Sequence, residues 1–204
     1  MKIIEPSVEI LFFSPDAVGL IEKAGRTCYR SEGATGEKFV RMLERAGHHS
    51  VLEHASATVK FVMDRGVMAE LTRHRLASFS VESTRYVKHS GDIEFVCPLD
   101  ILSSKHDCLD QWKRACMLAE GTYKNMIESG VHPQIARSIL PTCLATRVVM
   151  TANLREWMHV FRLRCTMEAH PDMRHIMMIA LEKFAEKCPV LFAPMFRMFT
   201  EGSK

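Results

Sequence analysis

Arg73-His74-Arg75-Leu76-Ala77-Ser78-Phe79-Ser80-Val81-Glu82-Ser83-Thr84-Arg85-Tyr86 is the stretch on which the reading of this chain turns. Three arginines and a histidine share fourteen residues with a single acid, and hydroxyls at 78, 80, 83 and 84 lie between them. Guanidinium forks with short hydroxyl donors suit a phosphate or pyrophosphate, because Arg binds such an anion bidentately and Ser adds neutral donors. The competing reading is a basic helix C-terminus that complements its dipole, followed by a solvated serine-rich loop. Composition alone leaves the two level.

Upstream of this stretch, GVMAELTRHR after Gly66 reads as a short helix, and SATVKFVM (56–63) alternates as a strand does. Ser50 and Glu53 have the spacing of a capping box. EKFVRMLERA carries Phe39, Val40, Leu43 and Ala46 at helical spacing and stops at Gly47. Residues 2–12 read as one strand, and Ser14-Pro15-Asp16 as a helix start with Ser14 as N-cap, running to about Arg30.

Downstream, residues 76–91 read as an ordered loop and DIEFVCP as a strand stopped by Pro98. Leu109, Trp112, Cys116, Ala119, Tyr123, Met126 and Ile127 mark an amphipathic helix over 105–129, closed by Gly130. A short helix from Pro133, a strand LATRVVMTA, and helices over 153–168, 171–187 and 189–199 complete the chain. The expectation is one α+β domain over residues 1–204, a mixed or antiparallel sheet packed by several helices.

Apolar residues make up 47% of the chain and charged residues 25%, enough to build a core without staples. A net charge of +3 sets up no field that would by itself draw DNA or a membrane surface. No apolar run reaches the ~18 residues that span a bilayer, and the opening MKIIEPSVEILFFS has only a short apolar run broken by Glu9. Seven cysteines, an odd number without a C-x-x-C, read as free thiols in a reducing cytoplasm. No G-x-G, P-loop or G-x-S-x-G occurs, which argues against a Rossmann site, an NTPase or a hydrolase elbow. His48, His49 and His54 lack the spacing of a zinc site, and no metal is expected. Met173, Met177 and Met178 read as core filler.

The order of residues then adds what composition does not. Arg-His-Arg, seven residues, Ser, and Arg-Tyr two positions on resembles the signature of flavin-dependent thymidylate synthases, the ThyX family. Gly47-His48-His49-Ser50-Val51-Leu52-Glu53-His54 is similar to the family's earlier G-H-x-[ST]-x-x-E-H segment, Ala136-Arg137-Ser138-Ile139-Leu140-Pro141 to its A-R-x-x-L-P segment, and Asn153-Leu154-Arg155 with Arg164 to its C-terminal part. The similarity covers residues 26–192.

The resemblance implies an α/β homotetramer with active sites shared between subunits, and FAD extended in a groove. It implies flavin contacts from His48, Ser50, Glu53, Arg73, His74, Arg75, Asn153, Arg155 and His159. It implies a dUMP site of Glu82, Ser83, Arg85, Arg137 and Arg164, with Arg164 also acting in catalysis. The implied reaction converts dUMP to dTMP with methylenetetrahydrofolate as one-carbon donor and reduced FAD as hydride source, NADPH recharging the flavin, in a cytoplasmic enzyme with no nucleic-acid or membrane partner. A related pyrimidine-nucleotide hydroxymethylase and a non-catalytic nucleotide- or RNA-binding protein are the alternatives. Local chemistry gives Asn153 a second role as helix N-cap. The sequence departs from the family where Glu70 replaces a Gln of some members, where Val81-Glu82 stands for Glu followed by an apolar residue, and where His159 replaces a common Asn. These departures leave Glu70 and Glu82 both open as the acid that meets the nucleotide.

Overall fold

The computed structural model describes residues 1–33, 35–86, 91–103 and 108–201, with the backbone alone at Tyr29. In chain order the elements are β1 (Lys2–Ile3), β2 (Ser7–Phe13), α1 (Ala17–Tyr29), α2 (Glu37–Arg45), a 3-10 turn His49–His54, β3 (Ser56–Asp64), α3 (Arg65–Leu71) and β4 (Ala77–Val81). There follow β5 (Glu94–Phe95), α4 (Leu99–Leu102), α5 (Leu109–Glu128), α6 (Pro133–Ala136), a 3-10 turn Arg137–Ile139, β6 (Ala145–Asn153), α7 (Leu154–Arg164), α8 (Pro171–Lys187) and α9 (Pro189–Glu201). The strands make a parallel pair, β1 with β5, and an open antiparallel sheet in the order β2-β3-β6-β4, packed by helices. The α+β expectation therefore holds.

Alternation sets the sheet. Along β3, Ala57, Val59, Phe61 and Met63 are buried while Thr58, Lys60 and Val62 are only half so, the period-2 pattern of one face turned to the core. In β6, Thr146, Val148, Met150 and Ala152 repeat it.

The chain divides into two units. One comprises Met1–Ser7, Phe61–Arg73 and Ser80–Val148. Its core gathers Ile93, Phe95, Cys116, Tyr123, Ala136 and Leu144, with Trp112, Met126 and Ile127 packed at its edge, so the apolar stripe read along α5 faces inward. Glu120 lies on the same helix yet is buried. It is held there by Lys124 at 2.7 Å and by the Ile93 backbone N–H at 3.2 Å.

The other unit comprises Val8–Lys60, His74–Phe79 and Val149–Lys204. Its centre is aromatic: Trp157 packs on Phe161 and Phe184 with ring centroids 5.7 and 5.0 Å apart, and Phe192 closes on Phe184 at 5.1 Å. The indole N–H donates to Ala57 O at 3.1 Å, so this large side chain is buried without an unpaired donor. Met173 and Met177 fill the face of α8 that continues through Ile176, Ala180 and Leu181, while Met178 is half-buried.

Several local expectations are corrected. The strand read over 2–12 is two strands, broken before Ser7 where Pro6 has no N–H to give a ladder. Ser14 does not cap α1: its hydroxyl accepts from Ser56 N at 2.9 Å. Asp16, in the left-handed region with φ 48°, is the N-cap, and its carboxylate accepts from Gly19 N. Ser50 and Glu53 form no capping box, since their segment is a 3-10 turn without a side-chain cap. Residues 77–81, read as loop, are strand β4, while 87–90 lie outside the described residues. The helix read from 105 is described from Leu109, positions 104–107 lying outside the described residues. Of DIEFVCP only Glu94–Phe95 is strand.

Candidate functional site

Where β6 passes into α7, Asn153 ends the strand and caps the helix, its side-chain oxygen accepting from Glu156 N at 2.8 Å. This fixes the first turn of α7, whose backbone N–H groups and dipole favour an anion. The first turn borders a cavity of about 550 Å³ whose other wall is the 3-10 turn His49–His54 and Leu76. Arg155, His159 and Arg162 all line it. They stand at i, i+4 and i+7, one face of the helix. Arg164 lies off that face, as its i+2 offset from Arg162 requires. The remaining lining mixes the imidazole of His49 and the amide of Asn153 with the apolar Leu52, Leu76 and Met158. Glu53 reaches across from the 3-10 turn to Arg155 as an ion pair.

A buried cluster adjoins the lining and shares Glu156 and His159 with it. His74 is 6% exposed, and its Nε2 accepts from Arg164 Nε at 3.0 Å. Its Nδ1 faces Glu156 Oε1 at 3.8 Å, and the His159 ring lies edge-on at 6.0 Å between centroids. Burial, then the charges of Arg164 and His159, push the His74 imidazole down to about 4, so it is neutral near pH 7. Burial pushes the Glu156 carboxyl up, against the opposing pull of His159. His74, Glu156 and His159 are metal-ligating in type and close together. The guanidinium on His74 Nε2 places a fixed cation there, which disfavours a second.

The expected residues fall into separate groups. Glu53, Asn153, Arg155 and His159 line the cavity. His48, Ser50, Arg73 and Arg75 are exposed, and the chain alternates through Arg73-His74-Arg75 so that the imidazole alone is buried. In the unit that contains residues 80–148, Ser83, Arg85 and Arg137 are brought together. Arg137 Nη1 donates to Thr84 Oγ1 at 3.2 Å, Arg85 Nε to Gln134 Oε1 at 3.2 Å, and Arg85 N to Ser83 Oγ at 3.2 Å. Glu82 is tied through its carboxylate to Arg147, which also pairs with Glu94. Glu70 is on α3.

Residues that the sequence did not assign to the site are His49, Glu156 and Arg162 in the cavity and Arg147 behind Glu82. An arginine inside the apolar run LATRVVMTA was the available signal for Arg147.

The cavity's donor set fits a flat anionic cofactor: cationic and amide groups at one helix N-terminus for phosphates, Leu52, Leu76 and Met158 for an apolar ring face. Fold and site thus define an α+β protein with a nucleotide-sized cleft whose lining carries both arginines and carboxylates. The family of thymidylate synthase complementing protein matches residues 9–190 of the chain. The chain belongs to this family. It is 32% identical to a flavin-dependent thymidylate synthase of Geobacter sulfurreducens over 199 residues, 91% of this chain and 84% of that protein. It is 30% identical to one of Corynebacterium efficiens, covering 86% and 78%, and 32% identical to one of Mycobacteroides abscessus, covering 88% and 81%. No helix among the described residues is long and apolar enough to cross a membrane.

Proposed function

We propose that the chain, residues 1–204 acting as one domain, is a flavin-dependent thymidylate synthase. It converts dUMP to dTMP with methylenetetrahydrofolate as the one-carbon donor, FAD as the bound cofactor and NADPH as the reductant, in a cytoplasmic homotetramer with shared active sites. The observation that carries the reading is the cavity at the α7 N-terminus, because four residues assigned to flavin by the motif, Glu53, Asn153, Arg155 and His159, line it together. Bound there and reduced by NADPH, the flavin would supply the hydride. The protein's part is charge and position: Arg155 and the α7 N-terminus for the phosphates, and Asn153 and His159 toward the ring. Ser83, Arg85, Arg137 and Arg164 would hold the nucleotide, the guanidinium groups of the three arginines stabilising negative charge on the pyrimidine.

Purified protein is expected to show flavin absorbance and to form dTMP from dUMP only when methylenetetrahydrofolate and NADPH are both present. Hydroxymethyl-dUMP as the sole product would favour the hydroxymethylase alternative, and colourless, inactive protein would count against both enzymes.

A covalent route through a cysteine is disfavoured by the thiols themselves. Burial pushes Cys165 and Cys116 up to about 12 and raises Cys143, leaving almost no thiolate at neutral pH. Cys143→Ser and Cys165→Ser, singly and together, should therefore keep turnover within about tenfold, the allowance being for packing. A loss of several orders of magnitude with FAD and dUMP still bound would establish a covalent mechanism instead.

A further inference from the structure

The geometry points to Glu156 as a positioning residue: it holds His74 in the tautomer protonated at Nδ1, and His74 through Nε2 holds the Arg164 guanidinium in place. The inference rests on the reading of Arg164 as a nucleotide-binding residue, and it adds two buried groups behind that residue.

The Nε of an arginine always carries its proton, so the 3.0 Å contact to His74 Nε2 requires a lone pair on that nitrogen. A doubly protonated ring would set N–H against N–H beside a guanidinium cation. The ring is therefore neutral, and its single proton is on Nδ1. That proton faces the Glu156 carboxyl oxygen at 3.8 Å, an electrostatic contact rather than a full hydrogen bond. Turning the tautomer over would point a lone pair at the carboxylate and an N–H at the guanidinium. Both neighbours thus select the same tautomer, and they do so where water screens little: the His74 and Glu156 side chains are 5% and 8% exposed. His159 also faces the ring, edge-on.

Local structure explains why Glu156 is there. Asn153 caps α7 and fixes the Glu156 backbone N–H, which sets the start of this side chain. An acid in a first helical turn ordinarily serves the helix dipole from the surface. Burial against an imidazole is not needed for that task. It places the carboxylate where it orients His74, much as a group behind a metal-bound histidine fixes its tautomer.

The direct test is ring-nitrogen NMR of the FAD-loaded protein with labelled histidine, His74 being assigned by its loss in His74→Gln. Wild type is expected to show Nε2 unprotonated and Nδ1 protonated. Glu156→Leu should shift His74 toward the Nε2–H form and lower kcat by about tenfold to a hundredfold, the range for loss of an orienting partner, with flavin absorbance retained. Glu156→Gln, whose amide oxygen still accepts, should restore the tautomer and most of the turnover. An Nε2–H ring in wild type overturns the proposal, and so does a Glu156→Leu protein with tautomer and kcat unchanged. An Nε2–H ring in wild type overturns the proposal even if Glu156→Leu does not fold, and Glu156→Ala then replaces it, with the same two readouts and the same overturning result. Failure of wild type to form dTMP would count against the functional reading, and the tautomer result would stand apart from it.

Discussion

Arg164→Ala is expected to lower turnover by about a hundredfold to a thousandfold, the usual cost of removing one preorganised donor from developing negative charge, while flavin stays bound. The two halves of this result have different origins. Flavin is retained because the cavity at the α7 N-terminus is lined by Arg155, His159 and Arg162, on a face of the helix that Arg164 does not share. Turnover falls because the Arg164 guanidinium is anchored at its Nε by His74, an arrangement that aims it without reorganisation. Steady-state rates at limiting and saturating dUMP, with flavin absorbance on the same sample, measure both. The bland role for Arg164 is that of a basic residue in the last turn of α7, complementing the helix dipole. That role is worth about 0.3–1 kcal/mol of stability and nothing in kcat. Wild-type kinetics with a slightly lower Tm would therefore leave Arg164 a structural residue. Arg164→Lys separates charge from shape: it keeps the cation but loses the planar fork, and should recover only part of the loss.

How much of this was legible in the sequence depended on whether the deciding interaction was local. β3 and α8 were readable because their apolar residues recur at the period of the element, and each buries the face that the pattern names. β4 has a period of two as well: Ser78 and Ser80 are exposed, Ala77 and Phe79 half-buried. Small and polar side chains hid it, and the serine content suggested loop. Asp16 was missed as a cap because a non-glycine residue with positive φ is unexpected, and only its bond to Gly19 N explains it. The site divides in the same way. Asn153 could be read both as cap and as site residue, since capping is a four-residue event. The family motifs brought Glu53, Arg155 and His159 to one cavity although no local spacing relates the first to the others. Nothing in the local sequence distinguishes Glu156 from an ordinary acid in a first helical turn. Its meaning depends on His74, more than eighty positions away, and on burial, neither of which spacing reveals.

Arg155→Ala should weaken FAD binding by about tenfold to a hundredfold, the loss of one charge-assisted hydrogen bond of about 1.5–3 kcal/mol, and leave the fold almost untouched. Arg155 stands in the first turn of α7, where the helix N-terminus already favours an anion, and its guanidinium meets the Glu53 carboxylate on the opposite wall of the cavity. The side chains are 53% and 44% exposed. A pair so wet contributes at most about 1 kcal/mol to stability, which for a chain of this size shifts Tm by about 2–4 °C. The affinity change should thus exceed the stability change, and that inequality is the test. Flavin titration of apoprotein gives the first quantity and thermal unfolding of the same apoprotein the second. Glu53→Ala completes a cycle: if Glu53 aims Arg155 into the cavity, the two substitutions together should cost less affinity than the sum of each alone, because both remove the same aimed guanidinium. An Arg155→Ala protein that binds FAD as wild type does but melts more than about 5 °C lower would make the pair a clasp between the 3-10 turn and α7, and would take Arg155 out of the flavin site.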